Sequence, residues 1–174
     1  MHEYRILFLV GNDRPGIVDE LSAFLYERSA NIEESRMAAL GGKFAIITLF
    51  SCTVEHLQKI QDDLDKLGEL GFEVSMHKAA DPEQIAKRPE IPLKLEVVSM
   101  DHPGIVQKVV HILHHYGINI NSLDTQVIRA PLSGAPLFDL KLEAGVPQGV
   151  TIARVKDELT KLATQENLDL IFTK

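Results

Sequence analysis

A single cysteine, Cys52, stands in 174 residues. It leaves no internal disulfide to form and is compatible with a reducing compartment. No window approaches the roughly eighteen consecutive apolar residues of a membrane span. The opening Met1-His2-Glu3-Tyr4-Arg5 lacks a signal peptide's design. A soluble, cytoplasmic protein is expected. Positive charge is also short, with 18 Lys and Arg against 25 Asp and Glu for a formal net charge of −7. Nucleic acid is held non-specifically by cations that neutralise phosphates. No dense run of Lys or Arg offsets the balance, so direct DNA or RNA contact is disfavoured. No Ser/His/Asp arrangement with supporting context and no Gly-rich phosphate loop is present, so neither a catalytic residue nor a cofactor is expected. His111, His114 and His115 fall at i, i+3 and i+4, a spacing that offers two zinc ligands. A fourth ligand is missing, and a solvated helix face accounts better for the cluster.

What the chain does contain is a stretch used twice. Asn12-Asp13-Arg14-Pro15-Gly16-Ile17-Val18 returns as Met100-Asp101-His102-Pro103-Gly104-Ile105-Val106, displaced by 88 positions. The same displacement carries Val10 onto Val98, Leu25 onto Leu113 and Asn31-Ile32 onto Asn119-Ile120. A constant offset without a gap is the mark of a duplicated module. With 45% hydrophobic and 25% charged residues, each half has material for one small core.

Around the repeat the periodicities alternate. Tyr4 to Val10 reads as a strand apolar on both faces. Ile17, Leu21, Phe24 and Leu25 recur at helical spacing, and that helix closes near Ser29-Ala30. Strands are expected over 31–40 and 43–50, joined by a Gly41-Gly42 hairpin. Val54, Leu57, Ile60, Leu64 and Leu67 mark one face of a second helix, ended by Gly68 or Gly71. Phe72, Val74 and Met76 alternate in a fourth strand. Residues 79–91, with Pro82 and Pro89, break the pattern and read as a linker. The second half repeats the order: strands over 93–99, 119–130, 137–144 and 168–172, helices over 104–116 and 150–165. Its hairpin is the longer Pro131-Leu132-Ser133-Gly134-Ala135-Pro136. The fold class is therefore α+β, two tandem ferredoxin-like (βαββαβ) domains, over 1–78 and 92–174.

The third strands differ between the halves. Phe138, Leu140 and Leu142 alternate with Asp139, Lys141 and Glu143, so one face of the second sheet can sit in water. In the first half, Ala45, Ile47 and Leu49 on one parity oppose Phe44, Ile46 and Phe50 on the other. Both helices of this topology share one sheet face, which leaves an apolar face to be covered by the second module or by another copy of the chain. The RNA-recognition motif has this topology and aromatics on its third strand. Phe44 has the wrong surroundings and the acidic balance argues against RNA, so core packing is the better account. Cys52 reads as a small packed residue.

Asp-Arg-Pro-Gly-Ile-Val before a helix, then Asn-Ile opening the next strand, resembles the ACT domain, twice over. The tandem layout, with the Ala-Pro-Leu-Ser-Gly-Ala-Pro-Leu-Phe stretch at 130–138, is similar to the glycine cleavage system transcriptional repressor family. The resemblance implies a non-enzymatic regulator that binds a small amino acid, glycine among the candidates. Because the chain is acidic, it is expected to act through a DNA-binding regulator protein, as a homo-oligomer. An oligomeric ACT interaction module without a ligand is the alternative, and a small-substrate enzyme a more remote one. The chemistry of the turn is consistent with the first reading. Helix N-terminal amides suit a carboxylate, and Asp13 or Asp101 can meet an ammonium or cap the helix. The ligand-binding residues that the resemblance implies are Asp13, Gly16, Ile17 and Asn31, with Asp101, Gly104, Ile105 and Asn119 in the repeat. His102 in place of Arg14 leaves room for the two sites to differ.

Overall fold

The computed structural model describes residues 2–85, 89–130 and 133–173. The chain divides into two compact units, Met1–Ala86 and Lys87–Lys174. The first runs β1 (His2–Asn12), α1 (Ile17–Glu27), β2 (Asn31–Leu40), β3 (Lys43–Thr53), α2 (Val54–Asp62), α3 (Leu64–Glu69) and β4 (Glu73–Ala79). The second runs β5 (Glu90–Met100), α4 (Ile105–His115), β6 (Asn119–Arg129), β7 (Pro136–Pro147), α5 (Ile152–Glu166) and β8 (Asp169–Thr173). Two residues of the stretch read as linker, Glu90 and Ile91, pair with Pro147 and Val146 in the second sheet. Residues 86–88 of that stretch, and Pro131-Leu132 of the long hairpin, lie outside the described residues.

Each unit holds a four-stranded sheet, ordered β2-β3-β1-β4 and β6-β7-β5-β8. Every neighbouring pair is antiparallel. Since β1 and β2 both run opposite to β3, they are parallel with β3 inserted between them, the split βαβ arrangement of a ferredoxin-like fold. The β2–β3 hairpin turns on Gly41 and Gly42, both at positive φ (60° and 77°), as a two-residue primed turn requires.

Alternation along the strands decides where each core sits. In the first unit Leu7, Leu9, Ile46 and Phe50 point to one sheet face and pack with Ile17, Leu21, Phe24 and Leu25 of α1 and with Ile60 and Leu67 from α2 and α3. In the second, Leu95, Val97, Leu140 and Leu142 meet Ile105, Val109 and Leu113 of α4 and Val155 and Leu159 of α5. Burying one such side chain contributes about 1.5–3 kcal/mol, so a dozen of them outweigh any local feature of the turns.

The helix expected from Val54 to Leu67 is broken at Asp63 into α2 and α3. The cause is tertiary. Arg28, just past α1, donates from Nε and Nη2 to Asp63 Oδ2 at 3.0 and 2.7 Å while Lys66 Nζ reaches Oδ1 at 2.7 Å. These bonds hold the Asp63 carboxyl below the usual carboxylate range, the Lys66 bond most and the Arg28 bond next. The corresponding α5 runs unbroken.

Candidate amino-acid site at the Pro-Gly turns

Both turns are built on a left-handed glycine. Gly16 (φ 93°) and Gly104 (φ 101°) occupy the N-cap positions of α1 and α4, a conformation that L side chains rarely adopt. Their carbonyls accept the first helical bonds, from Glu20 N at 2.9 Å and Lys108 N at 3.0 Å. Among the described residues no side chain caps either helix, so the capping role open to Asp13 and Asp101 is not realised. Both stand three residues ahead of the N-cap glycine, outside the position from which a side chain reaches first-turn amides. Asp13 is instead fixed through its backbone, its N–H donating to Gly42 O at 3.0 Å. The first-turn amides of each helix, which a helix cannot pair internally, stay available beside an exposed carboxylate.

The turns diverge in what lies over them. In the first unit Arg14 donates to both Glu20 carboxylate oxygens, at 2.5 and 2.6 Å, and to Leu70 O at 3.2 Å. Its guanidinium also lies 5.7 Å from the Phe72 ring centroid. The bond between them lowers the Glu20 carboxyl from its usual range and raises the Arg14 guanidinium. At the same two places the second unit has His102 and Lys108. Lys108 Nζ turns away to Glu166 Oε2 at 2.5 Å. Its Cε would lie 3.9 Å from a β-carbon on Gly104, and Glu20 Oε1 would lie 3.8 Å from a β-carbon on Gly16. A hollow of about 450 Å3 opens over this second turn, lined by Asp101, His102, Gly104, Ile105 and Phe138 among others.

Asp101, Gly104 and Ile105 are thus brought together, whereas Asn119 is not among the residues lining the hollow. Asn31 and Asn119 each precede a β-bulge, at Ile32/Glu34 and Ile120/Ser122. Their amides donate to the bulge residues, Glu33 Oε1 and Asn121 Oδ1, both at 3.0 Å. Glu33 also accepts from Ser51 Oγ at 2.6 Å, and these bonds, Ser51's the larger, hold its carboxyl below the usual range. The sequence reading missed Phe138, Glu20 and Lys108. Phe138 pairs with Ser99 and Phe44 with Gly11, the positions next to Val98 and Val10, so both occupy the same place in their sheets although the longer second hairpin moves them off the 88-residue offset. Glu20 against Lys108 is a charge reversal visible at the same 88-residue offset.

Elsewhere, His111, His114 and His115 are exposed on α4. No group of three or more His, Cys, Asp or Glu side chains among the described residues is placed to hold a metal. Cys52 is buried at 2% exposure, and desolvation raises its thiol pKa. No helix among the described residues is long and apolar enough to cross a membrane.

Comparison with known proteins agrees with this geometry. The chain is 26% identical to the glycine cleavage system transcriptional repressor of Escherichia coli over 94% of its own length and 86% of that protein. A solved structure provisionally described as a glycine cleavage system transcriptional repressor shares the fold, with a TM-score of 0.72 at 22% identity over 99% of this chain and 97% of that one. An unknown protein from Galdieria sulphuraria, also solved, is 31% identical and superposes with a TM-score of 0.84 over 99% of this chain and 98% of its own. Residues 3–77 match the sequence profile of the ACT domain. The first unit is thus matched to the ACT domain, and the second repeats its sheet order and Pro-Gly turn, so the fold is that of two tandem ferredoxin-like ACT domains.

Proposed function

We propose that the protein is a non-enzymatic regulator that senses a small amino acid at the Pro-Gly turn of its second unit. The observation carrying this reading is the hollow of about 450 Å3 over Asp101, Gly104 and Ile105. An α-amino acid offers a carboxylate to helix N-terminal amides and an ammonium to an aspartate, and the helix dipole favours that orientation. Asp101 takes the ammonium, Gly104 and Ile105 supply amides, and Asn119 fixes the start of the neighbouring strand through its bulge. Asp13, Gly16, Ile17 and Asn31 form the matching set in the first unit. There Glu20 carries negative charge close to Gly16, and Arg14 already has its partner, so a ligand carboxylate is less welcome.

Glycine is the leading candidate because the Escherichia coli relative is a glycine cleavage system transcriptional repressor. The acidic balance of −7 favours control of transcription through a DNA-binding regulator protein, with the chain itself a homo-oligomer. Ligand binding would shift the protein between two packings only by its differential affinity for them.

A thermal-shift screen against the twenty amino acids tests this. At a concentration 100 times the dissociation constant, a true ligand stabilises by about 2.7 kcal/mol. Glycine or a close relative should raise the midpoint, Asp101→Ala should abolish the rise, and Asp13→Ala should leave most of it. A flat screen would favour the ligand-free interaction module, and an unchanged shift in Asp101→Ala would refute the assigned site.

A further inference from the structure

We propose that two copies of this chain meet through the outer, helix-free face of the first sheet, each burying Ile6, Phe8, Val10, Ile47 and Leu49 against the same residues of the other. This rests on the homo-oligomer reading above and names its surface; it does not depend on the amino-acid site.

The face is defined by strand parity. Leu7, Leu9, Ile46 and Phe50 are buried in the core, so Ile6, Phe8 and Val10 on β1 and Ala45, Ile47 and Leu49 on β3 point the other way. In the folded chain Phe8, Val10 and Ile47 keep 36%, 40% and 46% of their surface exposed. A shallow depression of about 210 Å3, lined by Ile6, Ile47, Leu49, Glu34, Ser35 and Arg36, lies on the same face. A contiguous apolar patch of this kind marks an interaction site.

The second sheet narrows the choice of occupant. Equivalent strand pairs put Phe8 opposite Ile47 in the first sheet and Glu96 opposite Lys141 in the second. Ile6 opposite Leu49 becomes Lys94 opposite Glu143, an ion pair at 2.8 Å. Ala38 opposite Ala45 becomes Gln126 opposite Asp139, joined by a 2.8 Å hydrogen bond. Asp139, whose alternation with Leu140 reads as water-facing, is nonetheless buried at 5% exposure, and its Oδ1 has no hydrogen-bond partner among the described residues. Laying an apolar face over Lys94, Glu96, Lys141 and Glu143, whose side chains all reach solvent, would strand charge without hydration, so the second sheet's outer face is a poor mate for the first. The first sheet's own face is a good one. Its rim carries both signs, Arg36 and Glu34 on β2 and Glu73 and His77 on β4, so a two-fold axis need not stack like charges. Four strands of this length cover on the order of 600 Å2 of sheet, close to the ~800 Å2 per partner of a standard interface.

Sedimentation of the full chain over a micromolar concentration series reads the outcome. The wild type should run at twice the 19.4 kDa of the chain. The double variant Phe8→Glu/Ile47→Lys, which installs the pair the second sheet already tolerates, should run at the single-chain mass with an unchanged circular dichroism spectrum. Lys141→Ala should leave the doubled mass. If the wild type sediments as a single chain, both the surface and the homo-oligomer reading fall. If it is double and Phe8→Glu/Ile47→Lys stays double, the surface is wrong while self-association stands. Should that variant misfold, Ala45→Cys decides: a bismaleimide must link two copies above the background set by the buried Cys52, and a dimer that fails to link refutes the contact.

Discussion

Across β1 and β3 of the first ACT domain, Phe8 faces Ile47; at the same places in the second, Glu96 faces Lys141. Directly behind them, on the core side, the two domains scarcely differ. Leu7 and Leu9 are matched by Leu95 and Val97, Leu25 by Leu113, Leu21 by Val109. The duplication has therefore kept whatever the fold itself demands, the apolar core and the left-handed glycine at the helix entry. It has let the two surfaces drift toward different surroundings. The turn repeats this lesson on a smaller scale: Gly16 and Gly104 share a backbone conformation, but Glu20 and Lys108 beside them carry opposite charge. Shape was conserved within the chain and electrostatics was not.

That comparison can be broken first at the core. Leu25→Ala and Leu113→Ala delete the same fully buried side chain in the two domains, and each should cost about 2–5 kcal/mol, the range for large-to-small core changes. Chemical denaturation of each variant measures it. A difference between them larger than that range would show that the cores are less alike than their packing implies.

Acid should separate the domains next. Glu3, Glu20, Glu33 and Asp63, all in the first unit, have carboxyls held below their usual values, through hydrogen bonds to Arg5, Arg14, Ser51 and Lys66 respectively as the leading causes. A carboxyl whose pKa is lower folded than unfolded stabilises the fold above its unfolded value and loses that contribution as pH falls through the folded one. Stability from these groups should thus be intact at neutral pH and fade below the ordinary carboxylate range, near 4. Their exposure and solvent screening keep the effect modest. Hydrogen exchange at falling pH should show amides of β1 to β4 losing protection before those of β5 to β8, and the reverse order would undo the assignment.

The smallest expected effect sharpens the comparison at the end of α1. Ser29 sits at φ 53° where the second domain has Gly117 at 63°. A non-glycine residue in this region carries a strain of about 1–2 kcal/mol, partly offset by the chain entropy that glycine adds. Ser29→Gly should therefore stabilise the first domain by about 0.5–1 kcal/mol, visible as a higher denaturation midpoint. A loss of stability would mean that the serine side chain supplies a contact worth more than the strain.

Much of the fold was legible because its signals are local. The 3.6-residue rhythm of Ile17, Leu21, Phe24 and Leu25, the two-residue rhythm of Phe72, Val74 and Met76, and the glycine pair at 41–42 each depend on near neighbours in sequence. The single helix expected from Val54 to Leu67 failed for the opposite reason. Its apolar stripe is continuous, with Leu57, Ile60 and Leu67 all buried, yet Asp63 is drawn by an arginine 35 positions earlier. Of the residues that line the hollow over the second turn, Asp101, Gly104 and Ile105 come from one contiguous motif. Phe138 enters the same hollow from a strand more than thirty residues on, beyond the reach of that motif.

The sequence by itself determined that there are two modules, what order their elements take and where a glycine opens the first helix of each. All of these follow from periodicity and from the backbone preferences of glycine and proline. Only the tertiary structure decided that Arg14 pairs with Glu20 beside the first turn while Lys108, beside the second, reaches Glu166. Side chains choose partners by distance in space, and the bond from Lys108 to Glu166 spans 58 positions of chain that no local rhythm encodes.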